Sequence, residues 1–156
     1  MSAADVASVT NTILLVLGWA IVHFASRNRD RDKARRELVV KACDSLSEQV
    51  TKLLSVAMSY HTATARDGAK EIELKGGLQD LSTQTQFINR ATRPQRNGVQ
   101  SNTLHTAFKQ SITGQHFEDE WQTPLPAHAG ELNQIAATAL SLRSYFAELK
   151  YEQFDT

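Results

Sequence analysis

"VVKACDSLSEQVTKLLSVAMSY", Val39 to Tyr60, decides the fold. Taken at alternating steps of four and three, it gives Val39, Cys43, Leu46, Val50, Leu53, Ala57 and Tyr60, all apolar or semi-apolar. Such an alternation places one stripe along one face of an α-helix and is the mark of coiled-coil-like packing. Leu38, Ala42, Leu54 and Met58 widen the stripe, as expected of a helix in a multi-helix bundle. Neither Gly nor Pro occurs from Asp32 to Ala65, so one long helix is predicted there.

Downstream of this helix, "RDGAKEIELKGG" (66–77) carries alternating charge and ends in Gly76-Gly77, which predicts a break or hinge. Leu74, Leu78, Leu81, Thr85 and Ile88 return to helical spacing, with Phe87 beside them. "NRATRPQRNGVQSN" (Asn89–Asn102) reads as a loop, with Ser101 or Asn102 capping a helix that shows Leu104, Ala107, Phe108 and Ile112 and stops at Gly114. "HFEDEWQTPLPAH" (His116–His128) is a second irregular connection. From Glu131 to about Phe154, Leu132, Ile135, Ala136, Ala139, Leu142, Phe146 and Leu149 share a face. Amphipathic helices joined by short loops bury their faces most simply as an all-α, antiparallel bundle of about four helices, assigned here to residues 38–156. Sparse aromatics (7%) and only three Pro also favour helices over a sheet sandwich.

Upstream, "LLVLGWAIVHFASRNRDRDKARREL" (Leu14–Leu38) changes character at Ser26. Val6 to Ser26 holds no formal charge over 21 residues. As a helix it reaches about 31 Å, matching a hydrocarbon core of about 30 Å. A secretory signal carries positive charge before its apolar run; here the charge follows. The reading is therefore an N-terminal transmembrane anchor (1–26) followed by a basic juxtamembrane segment (27–37). That segment holds Arg27, Arg29, Arg31, Lys33, Arg35 and Arg36 against Asp30 and Asp32. Basic residues close to a span stay on the cytoplasmic side, which predicts the N-terminus outside and the bundle in the cytoplasm. Trp19 suits the headgroup level, and the six basic side chains suit an anionic inner leaflet, each contributing roughly 1 kcal/mol near such a surface. Beside a span the basic run is assigned to lipid, and no nucleic-acid partner is expected.

Carried backward in the same phase, the stripe meets Arg36, Asp32 and Arg29, then Ala25, Val22, Gly18, Leu15, Asn11 and Ser8. Small residues let membrane helices approach closely, and Asn hydrogen-bonds across them. Ser8, Asn11, Gly18, Val39, Leu46, Val50 and Leu53 are thus the candidate helix-association residues. The alternative is that Ser, Asn and Gly are merely tolerated in a weak span.

Seventeen Lys+Arg balance 17 Asp+Glu over the 156 residues. A single Cys43 excludes an intrachain disulfide and any CxxC motif. No HExxH, P-loop, GxGxxG or GxSxG pattern occurs. "HFEDE" (His116–Glu120) gathers possible cation ligands but reads as a solvated acidic loop, while Arg90, Arg93 and Arg96 could grip phosphates and are explained equally well by a basic loop facing the inner leaflet. No catalytic residue, metal, cofactor or small-molecule substrate is identified.

The run "GWAIVHFASRNRDRDKARREL" (Gly18–Leu38) resembles small bacterial single-span membrane proteins, N-out and C-in, of accessory or phage-related type. The resemblance covers about 20 residues and implies a bacterial inner membrane. Some such proteins are effectors of anti-phage defence. Two functions are therefore expected: a non-enzymatic, membrane-tethered cytoplasmic module that binds a protein partner or itself, or an oligomeric effector whose spans breach the bilayer.

Overall fold

The computed structural model describes residues 3–92, 97–114, 117–118, 124–126 and 128–152; within these, the side chains of residues 3–22, 24, 25 and 97 are not described. Four helices are present, α1 (Ala3–His61), α2 (Gly68–Ala91), α3 (Asn97–Ile112) and α4 (Gly130–Glu152), with no strand among the described residues. The chain divides into two compact units, Met1–Leu38 and Val39–Thr156.

In the first unit the backbone is helical from Ala3 onward, and the described side chains, His23 and residues 26–38, are exposed. Among the described residues no helix is long and apolar enough to cross a membrane. The expected span, Val6–Ser26, falls almost wholly on residues whose side chains lie outside the described ones, as do Ser8, Asn11, Gly18 and Trp19.

In the second unit, the stripe of α1 is the core. Cys43, Leu46, Val50, Ala57 and Tyr60 are at most 1% exposed, and Val39 and Leu53 3%. They meet Leu74, Leu78, Leu81 and Ile88 of α2, Phe108 and Ile112 of α3, and Leu132, Ile135, Ala139, Leu142, Tyr145, Phe146 and Leu149 of α4 in one cluster. Polar contacts fix the directions. Tyr60 bonds Glu71 while Gln49 bonds the Gly77 carbonyl, so α2 descends along α1. His105 donates to the Leu78 carbonyl while Asn89 donates to Ser101, so α3 ascends along α2. Asp44 of α1 pairs with Lys150 near the end of α4, and His61 accepts at its carbonyl the Leu125 N–H from the segment before α4. The result is an up-down-up-down four-helix arrangement.

Several expectations are corrected. Gly76-Gly77 is no hinge, because α2 runs through both. A Cβ built on Gly77 would come within 2.5 Å of Leu53 Cδ2, so this glycine lets α2 approach α1 closely; a Cβ on Gly76 meets nothing within 4 Å. Leu74, Leu78 and Leu81 anchor the helix on either side and offset a glycine penalty of about 1 kcal/mol each. Asn89–Asn102 is not all loop: α2 ends at Ala91 and α3 begins at Asn97. Ser101 is not a cap but a fully buried residue of α3, donating to Gly98 O (3.2 Å) and accepting from Asn89. Tyr145 in turn donates to Asn89 Oδ1 (3.2 Å), so residues that favour turns in isolation are retained here as a polar layer between helices. Leu38 and Phe87 do not join the core, being 69% and 71% exposed.

The first helix stops at His61, before Ala65. Thr62 and Ala63 N–H groups return to Met58 and Tyr60 carbonyls, tightening the last turn. Asp67 then starts α2, its Oδ1 accepting from the Ala69 and Lys70 N–H groups at 3.1 Å each. At the far end of α2, both the N–H and the hydroxyl of Thr92 bond Ile88 O, and Pro94 follows in sequence. Residues 153–156, which include the expected helix end at Phe154, lie outside the described residues.

Candidate functional site

Among the described residues, three places concentrate polar chemistry. The first is the basic run. Arg27, Arg29, Arg31, Lys33, Arg35 and Arg36 all sit exposed on α1. Two residues along a helix is a rotation of about 200°, so side chains at 27, 29, 31, 33 and 35 alternate around the axis. They fall into two opposite rows, 27, 31 and 35 against 29, 33 and 36, with Asp32 and Asp30 in the gaps between them, a geometry for meeting charge on two sides and not for lining one groove.

The second place is the turn between α1 and α2. The Tyr60 hydroxyl donates to Glu71 Oε1 at 2.8 Å, and Arg66 grips the same carboxylate through Nε (2.7 Å to Oε1) and Nη2 (2.9 Å to Oε2). Glu71 is 4% exposed. The Arg66 guanidinium, followed by the Tyr60 hydroxyl bond, holds its carboxyl below the usual carboxylate range against the opposing effect of burial. Burial pushes the Tyr60 phenol up. The Glu118 N–H donates to the Tyr60 oxygen (3.2 Å), Lys75 pairs with the Glu118 carboxylate, and the Phe117 ring lies 5.3 Å from that of Tyr60. Glu118 itself has φ 70°, a left-handed conformation that costs a non-glycine residue energy and persists where its surroundings fix it. Of "HFEDE", Phe117 and Glu118 thus pin the α3–α4 connection onto the bundle; His116, Asp119 and Glu120 lie outside the described residues.

The sequence carried a signal for this cluster. Glu71 falls in the same four-three phase as Leu74, Leu78, Leu81, Thr85 and Ile88, so a carboxylate stands where the stripe demands burial. A buried charge requires a partner, and Arg66 and Tyr60 are the groups that reach it.

The third place is a cavity of about 510 Å³ between α3, α4 and the end of α1, whose walls include His61, Gln110, Ser111, Leu125, Glu131 and Gln134. His61 Nε2 donates to Ile112 O at 2.9 Å, which fixes the ring. Ser111 donates to Phe108 O (2.8 Å) and meets the Thr138 hydroxyl at 2.9 Å. Among the described residues, Glu131 is the one carboxylate on this wall. A cavity of this size, with His, Ser, Gln and Glu side chains in its wall, can hold water or a small polar group.

Elsewhere, burial pushes the Cys43 thiol up to about 11, assisted by Asp44, so it stays protonated and unreactive at neutral pH. Burial also lowers His105, which donates to Leu78 O and is neutral near pH 7. Among the described residues no three His, Cys, Asp or Glu side chains are grouped to hold a metal ion. Of the expected association residues, Val39, Leu46, Val50 and Leu53 pack against this chain's own helices. Arg90 is exposed at the end of α2, whereas Arg93 and Arg96 lie outside the described residues. Comparison with protein-family models, curated proteins and solved structures returned no match.

Proposed function

We propose that this chain is a membrane-tethered, non-enzymatic interaction module whose helical bundle works in the cytoplasm at the inner face of a bacterial membrane, binding a protein partner or a second copy of itself. The observation that carries the reading is the charge step at Ser26. Twenty-one uncharged residues precede six basic side chains within ten positions, and the helical backbone from Ala3 to His61 crosses the step without interruption. An uncharged, predominantly apolar helix of this length is long enough to span a hydrocarbon core, and two rows of Arg and Lys at its end hold that end at an anionic inner leaflet. The bundle then supplies a rigid surface held at high local concentration.

Fractionation tests the tether. The full chain, expressed in bacteria, is expected to remain with membranes through an alkaline carbonate wash, which strips peripheral proteins. Recovery in the soluble fraction before the wash would overturn the reading.

A further inference from the structure

The outward face of α4 carries a second stripe with the same spacing as the core. Asn133, Ala137, Leu140, Ser144, Ala147 and Tyr151 follow one another at alternating steps of four and three, and all are exposed. Leu140 is 64% and Tyr151 72% exposed, two of the few large apolar side chains on the surface. No charge interrupts the stripe over five turns, although α4 carries Glu131, Arg143, Glu148, Lys150 and Glu152 at other positions. A helix with an apolar-to-neutral seam on its outside, opposite the seam it already buries, is built to pack twice.

We propose that this face docks against α4 of a second copy of the chain, the two helices running parallel and in register. The flanking charges choose that occupant. With Ala137, Ser144 and Tyr151 at one set of seam positions and Leu140 and Ala147 at the other, Arg143 and Glu148 occupy the flanks. Across a parallel pair, a flanking residue faces the one five positions further along the partner. Arg143 therefore meets Glu148 of the partner subunit, and the two-fold axis repeats the pair. In an antiparallel pairing Arg143 faces the flank that holds another Arg143 and Lys150, and the complementarity is lost. The small residues Ala137, Ser144 and Ala147 allow close approach of two backbones.

A single-helix stripe buries much less than the roughly 800 Å² per partner typical of stable complexes in solution. Confinement to a membrane supplies the missing effective concentration, so the inference rests on the tether reading. The experiment uses the full chain in its membrane, with Cys43→Ala as background and single cysteines at Ala137, Ser144 or Tyr151, and at exposed Thr83 on α2 as the control. Mild oxidation is expected to give disulfide dimers at 137, 144 and 151 alike, about tenfold over position 83. Leu140→Glu should abolish them. Arg143→Glu or Glu148→Arg alone should weaken the dimer several-fold, and the double exchange should restore it. Dimers no more abundant than at position 83, dimers at one stripe position only, or dimers indifferent to Leu140→Glu would each overturn the proposal. A chain found with soluble protein defeats the tether reading on that result alone. The comparison of positions 144 and 83 is then made on the concentrated soluble chain, where equal crosslinking overturns the docking face independently.

Discussion

The two halves of α1 share one backbone and one helical phase, yet they do opposite things. From Val39 to Tyr60 the stripe positions are buried, and at Arg36, Asp32 and Arg29 the same stripe, carried backward, is exposed. The compact unit that contains the bundle begins at Val39, one residue after Leu38, which is 69% exposed. Helical continuity fixes where side chains stand; what a face does is decided by residue type and by what there is to pack against. An apolar row finds three helices of its own chain. The charged row, Arg29, Asp32 and Arg36, stays exposed.

That contrast is broken most forcefully in the buried half. Leu46→Ala should cost about 2–5 kcal/mol through lost packing and a residual cavity, while Arg29→Ala in the same phase should leave the unfolding midpoint almost unchanged. Thermal unfolding of the full chain in detergent, followed by far-ultraviolet circular dichroism, compares them. Equal effects at the two positions would erase the distinction between the halves.

At the end of the buried half, Glu71→Ala leaves the Tyr60 hydroxyl without its carboxylate and should cost about 1–3 kcal/mol. The depressed carboxyl also sets a pH dependence. Its contribution is fully present above the usual carboxylate range and is lost as pH falls through the lowered native value. Stability of the parent should therefore decline more steeply under acid conditions than that of the Glu71→Ala variant, measured by denaturant titration across that range.

A finer probe is the neighbouring pair on α2. Gly77→Ala drives a methyl into Leu53 and should destabilise by about 1–2 kcal/mol, overpacking outweighing the gain in helix propensity. Gly76→Ala meets open space and should stabilise by about 0.5–1 kcal/mol. Opposite signs at adjacent glycines, read from the same unfolding curves, would locate the close approach. At the boundary, Val39→Ala should lower stability by about 1–2 kcal/mol, and Leu38→Ala, the smallest effect of all, by almost nothing.

How much of this was legible in sequence follows from how periodicity works. The α1 stripe is buried at all seven positions, and Leu74, Leu78, Leu81, Thr85 and Ile88 are buried too, because repeated spacing reports a face that must be covered. Local signals misled where tertiary contacts overrode them. Gly76-Gly77 resembles a break until Leu53 is seen to lean on Gly77, and Ser101 resembles a cap until Asn89 is seen to bond it inside the bundle. The Tyr60–Arg66–Glu71 cluster was half visible, since Glu71 keeps the seam phase, but Arg66 and Glu118 come from turns whose conformation no periodicity announces. The outward stripe of α4 was hidden by its weakness. Alanine and serine register as a seam only once their exposure is known.

The orientation proposed for the tether is tested most directly by reporters fused after Thr156. One is a fluorescent protein that matures only in the cytoplasm, the other a phosphatase active only outside the inner membrane. With Arg27, Arg29, Arg31, Lys33, Arg35 and Arg36 all following the uncharged helix and no Lys or Arg preceding it, fluorescence with a silent phosphatase is predicted. An active phosphatase at that position, with no fluorescence, would contradict the account.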